Sequence, residues 1–488
     1  MALRRICQNC LATRNIFINF ASEKLKQLKV YMSSKTEFAS KIGLIAATVG
    51  SAIGLGNVWR FPAETQTNGG AAFLILYIIC VLALGIPVML AEFSLGRGGR
   101  SDAIGVFHKL SPEKKWWIVG SVAVLASYLI LCYYMVVAGW TLEYLVQSVS
   151  GNLYVGAEAV QEGSDSMRGF FDGKMQEYVC SDFAPLAFTF LMIIINAAVL
   201  MGGVQKGIER LSNVLMPLLF IILLGMCILS LNLPDAADGV QFFLSPDFSK
   251  ITPRVVINAL GQAFFSLSLG MGILITYSSY YPADTKLTRT SVIVAFLSLL
   301  VAVMMGLIIF PAVTSFGLNR ESLEGSTLVF VTLPEVFVRL PFPRLWSSLF
   351  FLLLLVAALT STVSIAEVSI AMLQDRLKMS RRKAVLIILC PLFLISAACS
   401  LSFGSLSNIK IADLTIFSFL DSLTTNVFLP LVSLAVCIYM GWFAPKGLLA
   451  DELSNYGTIR SRITGAVLFI IRYIAPVLIA LIFIFNFI

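Results

Sequence analysis

One short segment sets the architecture expected of this chain: Ser51-Ala52-Ile53-Gly54-Leu55-Gly56-Asn57-Val58-Trp59-Arg60-Phe61-Pro62. It lies inside an apolar run that begins near Ile42, yet it contains two glycines, an amide and an arginine. Gly54 and Gly56 each lower helix stability by roughly 1 kcal/mol relative to alanine, so we predict that the helix breaks here. A break at membrane depth survives only where protein buries it or where it lines a wet cavity. The freed carbonyls suit a small cation and the N-terminus of a half-helix suits an anion, whereas the alternative is a flexible kink in an ordinary span.

A second interruption of the same kind lies in Gly261-Gln262-Ala263-Phe264-Phe265-Ser266-Leu267-Ser268-Leu269-Gly270-Met271-Gly272. Ser268, Gly270 and Gly272 interrupt the sixth apolar segment of the chain, whereas the first interruption lies in the first segment. Two interrupted helices that are five spans apart are typical of an inverted repeat of five plus five helices. In secondary transporters such a pair of interruptions indicates the binding site.

The composition is that of an integral membrane protein. Of the 488 residues, 58% are hydrophobic and 13% are charged, whereas soluble domains have about 45–50% apolar and about 25% charged residues. The net charge of +8 comes from basic residues in short loops between apolar runs, so we expect no nucleic-acid partner. Basic loops occur on one side of the spans and the acidic loop 149–183 on the other. The positive-inside rule then predicts an inner (plasma) membrane protein with a cytoplasmic N-terminus and, for an odd number of spans, an outer C-terminus.

Apolar runs of about 20 residues, long enough to cross a bilayer, divide the chain. Eleven of them lie near 41–66, 71–95, 116–148, 184–201, 212–231, 255–280, 289–315, 343–374, 383–402, 412–440 and 463–487. The resulting organisation is a polar basic tail (1–34), a first repeat (35–231), an outer loop (232–254), a second repeat (255–442) and a final loop with the last span (443–488). The tail is either an arm that lies on the membrane surface or the result of a start codon assigned too far upstream.

Four motifs resemble the neurotransmitter:sodium symporter family, and in particular its prokaryotic amino-acid transporters. They are GSAIGLGNVWRFP (50–62), GGVQKGIERLSNVLMP (202–217), GQAFFSLSLGMG (261–272) and ALTSTVSIAE (358–367). The resemblance extends from about Lys35 to about Trp442. It implies an all-α integral membrane protein with the LeuT-type fold, a 5+5 inverted repeat with broken helices 1 and 6 and about eleven transmembrane helices. It also implies that the loop 318–341 caps an outer vestibule.

The resemblance further implies one or two sodium ions, which as hard cations favour oxygen ligands. The family's second sodium site maps onto the carbonyls of Gly50, Ile53 and Ala357 and the hydroxyls of Thr360 and Ser361. Taken alone, such hydroxyls are expected to bond back to their own helix. The first site maps onto Ala52, Asn57, Ser266 and Ser298, with the substrate carboxylate completing it.

Ser298 departs from the family pattern, because that position usually carries an Asn or Asp. A serine is a weaker, neutral ligand, and residues 291–313 contain no carboxylate. Tyr77, Gln262 and Ser266 match the family's chloride-coordinating positions, while the fourth position falls at about Ala302. Chloride dependence and a degraded first sodium site are therefore both open.

Gly54 bears on the substrate class, because monoamine carriers of the family have an aspartate there. With glycine, the negative charge has to come with the substrate, and an amino acid supplies one. The substrate positions implied by the resemblance are Ala52, Gly54, Leu55, Gly56, Ile130, Tyr134, Phe265, Ser268, Met271, Ala358, Ser361 and Ile365. The apolar ones among them indicate a hydrophobic substrate side chain, although each taken alone is also typical of core packing.

Two gates follow from the same resemblance. Arg60 and Asp421 are expected to pair as the outer gate, with Phe265 closing the site beneath them; the alternative for Arg60 is snorkelling to the interface. The inner gate maps onto Lys35, Phe38, Ser279, Tyr280 and Asp375. Lys35 replaces the usual arginine, which loses a bidentate partner for a carboxylate. Glu367 is a further acid within a span, and the sequence assigns it no role.

The sequence thus predicts a sodium-coupled symporter of a neutral, hydrophobic amino acid that works by alternating access in a lipid bilayer. No obligate protein partner is evident. An enzyme is not expected, because no nucleophile and base converge at one depth and no GxxxxGK[ST] phosphate loop occurs. A channel would need a continuous polar stripe. The remaining alternatives are a non-transporting amino-acid sensor on the same fold and a chloride-dependent symporter of another small zwitterion.

Overall fold

The computed structural model describes residues 37–160, 164–318 and 325–485. Residues from Phe38 onward pack as one compact unit. The basic tail lies outside the described residues, and so does Lys35 of the predicted inner gate.

Within the described residues, nine continuous helices are long and apolar enough to cross a membrane. They are Ala71–Gly99 (span 2), Trp117–Ser150 (span 3), Ala184–Met201 (span 4), Val204–Leu231 (span 5), Leu287–Ser315 (span 7), Pro343–Leu377 (span 8), Arg381–Leu401 (span 9), Ile416–Phe443 (span 10) and Thr464–Phe485 (span 11). Span 1 consists of half-helices Lys41–Ala52 (1a) and Gly56–Thr67 (1b), which are bent by 53°. Span 6 consists of Pro253–Ser266 (6a) and Ile273–Ser278 (6b). These segments match the eleven predicted runs and confirm the all-α membrane fold with helices 1 and 6 broken.

The connections contain shorter elements. Their helices are Gly105–Leu110, Asn152–Tyr154, Ala157–Ala159, Ser164–Cys180, Ala236–Leu244, Phe248–Lys250, Gly325–Val338 and Leu448–Leu453. A two-stranded antiparallel hairpin, Lys410–Ile411 with Leu414–Thr415, precedes span 10. The helices among these elements lie outside the predicted apolar runs and connect the spans.

Local sequence explains where the two broken spans begin. Half-helix 1a starts after Ser40, whose extended backbone and hydroxyl, accepting from the Gly43 N–H at 2.9 Å, form an N-cap. Half-helix 6a starts after Thr252, whose hydroxyl accepts from the Val255 N–H, with Pro253 at the first helical position. Both half-helices therefore have defined starts outside the breaks.

Burial separates the central spans from the peripheral ones. Spans 3 and 8 are 78% buried along their apolar windows, whereas spans 4 and 11 are 33% and 28% buried. Side chains such as Ile221 and Leu394, each 69% exposed, are typical of lipid-facing positions. The breaks of spans 1 and 6 are consequently enclosed by the most buried helices.

The fifth span begins earlier than predicted, at Val204 rather than near residue 212. Lys206, Glu209 and Arg210 made this segment resemble a loop. In the structure Glu209 is only 4% exposed, and its carboxylate accepts the Ala39 and Ser40 N–H groups at 2.8 and 2.9 Å. The charge is buried because it caps the N-terminus of half-helix 1a.

Candidate functional site

The break in span 1 lies at Ile53 and Gly54. Ile53 has φ −90° and ψ 89°, which ends half-helix 1a, and half-helix 1b resumes at Gly56. A Cβ at Gly54 would lie 2.8 Å from both the Ser361 and Tyr134 hydroxyl oxygens. Glycine is therefore required here by the close approach of spans 3 and 8.

The break in span 6 is held by left-handed backbone. Ser268, Gly270 and Gly272 have φ of 55°, 76° and 71°, a region that favours glycine. The Gly270 N–H donates to the Glu92 carboxylate at 2.8 Å, and Glu92 is fully buried in span 2. The sequence analysis did not identify Glu92, although its position as an acid within an apolar run was a signal.

The two breaks satisfy each other's freed backbone groups. The Ser268 hydroxyl donates to the Ser51 carbonyl at 2.7 Å, and the Gln262 amide donates to the Gly56 carbonyl at 3.1 Å. Hydrogen bonds of this kind replace those that an intact helix would make inside itself. The breaks are thus coupled parts of one site.

A pocket lies between the two breaks. Its lining residues are Ser51, Ala52, Gly54, Gly56, Asn57, Ile130, Tyr134, Phe265, Ser266, Ser268, Met271, Ser361 and Ile365. No charged side chain is among them. All of the predicted substrate residues except Leu55 and Ala358 line this pocket. Leu55 contacts the lining through its backbone, because its N–H donates to the Tyr134 hydroxyl at 2.9 Å. Ala358 is fully buried and does not line the pocket.

The residues predicted for the second sodium site converge between half-helix 1a and span 8. The Ser361 hydroxyl lies 3.4 Å from the Gly50 carbonyl, and a Cβ at Gly50 would lie 3.2 Å from the Thr360 Cβ. The Thr360 hydroxyl donates to the Val356 and Ala357 carbonyls of its own helix. A hydroxyl that donates still has lone pairs for a cation, so this back-bonding is compatible with a ligand role. Ile53 is fully buried at the adjoining break.

The residues predicted for the first sodium site are linked by hydrogen bonds. The Asn57 amide donates to the Ser298 hydroxyl at 2.9 Å, and Ser298 donates to the Ser266 carbonyl at 3.3 Å. The Tyr77 hydroxyl donates to the Ser266 hydroxyl at 2.9 Å. Asn57 is fully buried, and its amide oxygen has no partner among the described residues.

An unpaired buried amide oxygen is costly, and a cation beside it would satisfy it. Asn57 lines the pocket together with Ala52 and Ser266, so such a cation would lie next to the bound substrate. Ala302, at the predicted fourth chloride position, is buried and offers no side-chain donor. The donors of Tyr77 and Gln262 are directed to the Ser266 hydroxyl and the Gly56 carbonyl, respectively.

A vestibule of about 580 Å³ lies on the other side of Phe265 from the pocket. Phe265 contacts both cavities, and a Cβ on Gly56 would lie 2.5 Å from its ring. Arg60 lies 4.9 Å above the centre of the same ring, a cation–π distance. Phe265, Gly56 and Tyr134 line both cavities, so Phe265 lies at the boundary between the pocket and the vestibule. That it closes the site from outside stays a prediction.

Arg60 and Asp421 both line this vestibule, but the predicted ion pair between them is not formed in this conformation. Among the described residues Arg60 instead approaches Glu64, at 3.8 Å between Nε and Oε1. Asp421 is exposed and accepts from the Thr425 hydroxyl at 3.3 Å. Both charges line the vestibule without forming an ion pair, so their pairing stays a prediction.

The helix Gly325–Val338 borders the same vestibule. Gly325 and Ser326 line it. Phe330 packs edge-on against Trp59 and Trp140, with ring centres 6.3 and 5.9 Å apart. Aromatic contacts thus attach this segment to spans 1 and 3, in agreement with the capping loop implied by the sequence.

The opposite side of the pocket is closed by aromatic packing. Phe38 is 3% exposed and packs edge-on against Tyr277 and Tyr280. Its N–H donates to the Tyr280 carbonyl at 3.1 Å. Of the other predicted inner-gate residues, Ser279 is buried and bonds back to the Thr276 carbonyl, and Asp375 lies near the end of span 8.

Glu367 belongs to a buried cluster of hydrogen-bonded charged and polar side chains. It is fully buried, and both of its carboxylate oxygens accept from Arg381 at 2.6 and 2.8 Å, while the Tyr280 hydroxyl donates to it at 2.9 Å. Arg381 also donates to the Leu200 carbonyl at 2.8 Å. This cluster connects the turn that follows half-helix 6b to spans 4, 8 and 9. The sequence analysis missed Arg381 because nothing local connects it to residues in other spans.

Arg381→Gln is expected to loosen the closed side, because it leaves the buried Glu367 carboxylate without its cation. Hydrogen–deuterium exchange of the amides in half-helices 1a and 6b should become roughly tenfold faster or more, since the unpaired charge favours local opening. The double variant Glu367→Gln with Arg381→Gln removes both charges and should restore slow exchange. Arg382→Gln, at the exposed neighbouring position, is the control. Equal exchange in Arg381→Gln and Arg382→Gln would show that the pair does not hold this side closed.

Comparison with known proteins agrees with this geometry. Residues 35–162 and 184–488 match the sodium:neurotransmitter symporter family. The chain is 37% identical over 452 residues to the sodium-dependent transporter YhdH of Bacillus subtilis (strain 168), covering 92% of this chain and 96% of YhdH. It is also 37% identical over 456 residues to a sodium-dependent transporter of Haemophilus influenzae (strain ATCC 51907 / DSM 11121 / KW20 / Rd), covering 92% and 97%.

Among solved structures, the crystal structure of MhsT in complex with L-phenylalanine superposes with a TM-score of 0.82. The two chains are 39% identical, and the match covers 92% of this chain and 99% of MhsT. Family, relatives and fold therefore agree with the motifs at both breaks, and the relatives are transporters rather than enzymes. On this evidence the chain belongs to the sodium:neurotransmitter symporter family and is a multi-pass, sodium-dependent membrane transporter.

Proposed function

We propose that the chain carries a neutral, hydrophobic amino acid across the membrane together with sodium, by alternating access around the breaks of spans 1 and 6. The observation that carries the proposal is the uncharged pocket between the breaks. Burying a lone charge there would be costly, so a ligand has to bring balanced charges of its own. An α-amino acid zwitterion does so, and a sodium ion beside it meets the carboxylate.

The polar groups of the pocket lining suit the two charges of the zwitterion. Tyr134 accepts from the Leu55 N–H, which leaves its own hydroxyl proton for a carboxylate. The unpaired oxygen of Asn57, which also lines the pocket, would suit a sodium ion beside that carboxylate. The Ser268 hydroxyl and the carbonyls of the breaks suit the ammonium group.

The apolar side chains of the same lining suit a hydrophobic substrate side chain. Ile130, Phe265, Met271 and Ile365 all line the pocket. L-Phenylalanine, which is bound in the crystal structure of MhsT, belongs to the same class. Burial of such a side chain contributes roughly 1.5–3 kcal/mol, enough to select it over a small or charged one.

Sodium would drive transport by binding one conformation better than another, because a ligand shifts an equilibrium only by its differential affinity. The proposed second sodium site would join half-helix 1a to span 8, because the Gly50 carbonyl and the Ser361 hydroxyl already lie close to each other. A cation there ties the moving half-helix to the buried helix. Its release would free half-helix 1a to open the closed side.

Uptake into proteoliposomes tests the proposal. After a thermal-shift screen of the twenty amino acids with and without sodium and chloride, the hits are offered as radiolabelled substrates under an inward sodium gradient. We expect hydrophobic neutral amino acids, phenylalanine among them, to stabilise the protein in sodium and to accumulate in the vesicles. Choline in place of sodium should abolish both effects. Sodium-dependent binding without accumulation would identify a sensor instead, and accumulation without sodium would contradict coupling.

Tyr134→Phe tests the role of the pocket in the same assay. Loss of a hydroxyl that faces a carboxylate costs about 1.5–3 kcal/mol, so we expect substrate affinity to fall roughly 10- to 100-fold. Tyr133→Phe is the matched control, because the adjacent Tyr133 lines the vestibule and not the pocket. Equal effects of the two substitutions would remove Tyr134 from the binding site.

A further inference from the structure

A second cavity, separate from the substrate site, lies between the start of half-helix 1a and the start of span 7. It has a volume of about 390 Å³. Lys41 lines one wall, and Lys286 and Arg289 line the other. Lys41 pairs with Asp284 at 2.6 Å, whereas Lys286 and Arg289 form no ion pair with any described residue. The basic cleft, as we call this cavity, thus has three positive charges and one negative charge.

The inner surface of the basic cleft offers hydrogen-bond donors that lack partners. Thr285 lines the cleft and is only 5% exposed, yet its hydroxyl has no hydrogen-bond partner among the described residues. Span 7 begins directly after it, with no side-chain N-cap at Lys286 and no acidic residue in its first turn. The first backbone N–H groups of this 29-residue helix are therefore uncapped by side chains and carry partial positive charge. Convergent N–H and O–H donors among basic side chains are the chemistry of a phosphate site.

The surroundings of the basic cleft indicate where such a phosphate comes from. Half-helix 1a and span 7 both begin here and continue into apolar sequence, so the cleft lies at the membrane surface. Ile42 lines the cleft and is 77% exposed. Val292 and Phe296 follow Arg289 on the same face of span 7 and are 47% and 61% exposed. A ligand with an anionic head and apolar chains matches this arrangement better than a soluble anion.

We propose that the basic cleft binds the phosphate of an anionic phospholipid, with acyl chains along Ile42 and Phe296. The phosphate is held by Lys286, Arg289 and the Thr285 hydroxyl, and Lys41 approaches it from half-helix 1a. A lipid in this place joins the first residues of half-helix 1a to those of span 7. The basic cleft shares no lining residue with the substrate pocket, so this proposal can be tested separately from the proposed transport activity.

Native mass spectrometry of the purified full chain tests the proposal. The protein in neutral detergent is titrated with phosphatidylglycerol or with phosphatidylcholine of the same acyl chains. Each basic residue near an anionic membrane surface contributes roughly fivefold to binding, so K286Q with R289Q should weaken phosphatidylglycerol binding about 30-fold. Thr285→Val should weaken it by roughly tenfold through loss of one hydrogen bond to a charged group.

The matched control is R382Q with K383Q. These basic residues are exposed in the first turn of span 9, whose N-cap Ser380 also makes no side-chain hydrogen bond, but neither lines the basic cleft. The proposal requires selective phosphatidylglycerol binding that the control pair retains and that K286Q with R289Q loses. An equal loss in both pairs, or none in either, overturns it. Displacement of the lipid by glycerol 3-phosphate at equal concentration would overturn the lipid assignment in favour of a soluble phosphate. Variants are compared only when sodium-dependent thermal stabilisation shows that they are folded.

Discussion

Replacing Thr360 and Ser361 together by alanine is expected to abolish sodium-dependent binding and uptake. The Ser361 hydroxyl and the Thr360 Cβ both approach Gly50 of half-helix 1a, from a helix that is 78% buried along its apolar window. A polar group that contacts a charged partner contributes about 1.5–3 kcal/mol, so losing two should lower sodium affinity by at least roughly 100-fold. Uptake should fall with it, because sodium binding drives transport in the proposed mechanism.

Two control variants distinguish loss of ligands from loss of structure. Thr360→Ser keeps a hydroxyl and should retain most of the sodium response. Thr362→Ala removes a buried hydroxyl from the same helix, one that bonds to the Leu359 carbonyl, and should leave sodium affinity unchanged. The sodium affinity of the wild type and of these three variants is measured by following thermal stability as sodium is added. A double alanine variant with wild-type sodium affinity would exclude this site as the coupling site.

Gly54→Ala is expected to have the second large effect, on substrate affinity. The added Cβ would lie 2.8 Å from the Ser361 and Tyr134 oxygens, closer than such atoms approach. Gly54 is not among the residues with positive φ, so alanine strains no backbone dihedral there and the effect is steric. Overpacking costs typically 1–3 kcal/mol, so binding of the amino acid should weaken roughly 5- to 150-fold.

Gly225→Ala in span 5 is the matched control for Gly54→Ala. A Cβ at Gly225 meets no atom within 4 Å, so alanine should be tolerated and should stabilise the helix by up to about 1 kcal/mol. Equilibrium binding of labelled substrate in sodium compares the two variants at equal protein recovery. Wild-type affinity in Gly54→Ala would mean that the substrate does not occupy the space beside this glycine.

The breaks and the spans could be predicted from the sequence because they depend on local composition. Gly54, Ser268 and Gly270 interrupt apolar runs, and an interruption at membrane depth has to be enclosed by protein. The motifs at the breaks also indicated the family, and the resemblance to that family implied most of the residues that line the pocket. The paired charges at the vestibule were predicted in the same way, but in this conformation Arg60 approaches Glu64, its neighbour one turn away.

The long-range contacts of charged side chains could not be predicted from the sequence, because they depend on how the spans pack. Glu209 caps half-helix 1a from 170 residues away, and Arg381 reaches the Leu200 carbonyl across 181 residues. Glu92 holds the break of span 6 across 178 residues. In sequence each of these residues is only a charge in or beside an apolar run, so its partner cannot be inferred.

Sequence alone therefore determined the membrane class, the number of spans, the two breaks and the oxygen-rich residues beside them, because helix formation and hydrophobicity act over a few neighbouring residues. Only the tertiary structure determined which charges meet, why Gly54 has to lack a side chain, and that a basic cleft with an unpaired Thr285 hydroxyl lies beside half-helix 1a. The physical reason is that a buried charge or a close approach is defined by atoms from distant segments, and those atoms meet only when the spans have packed.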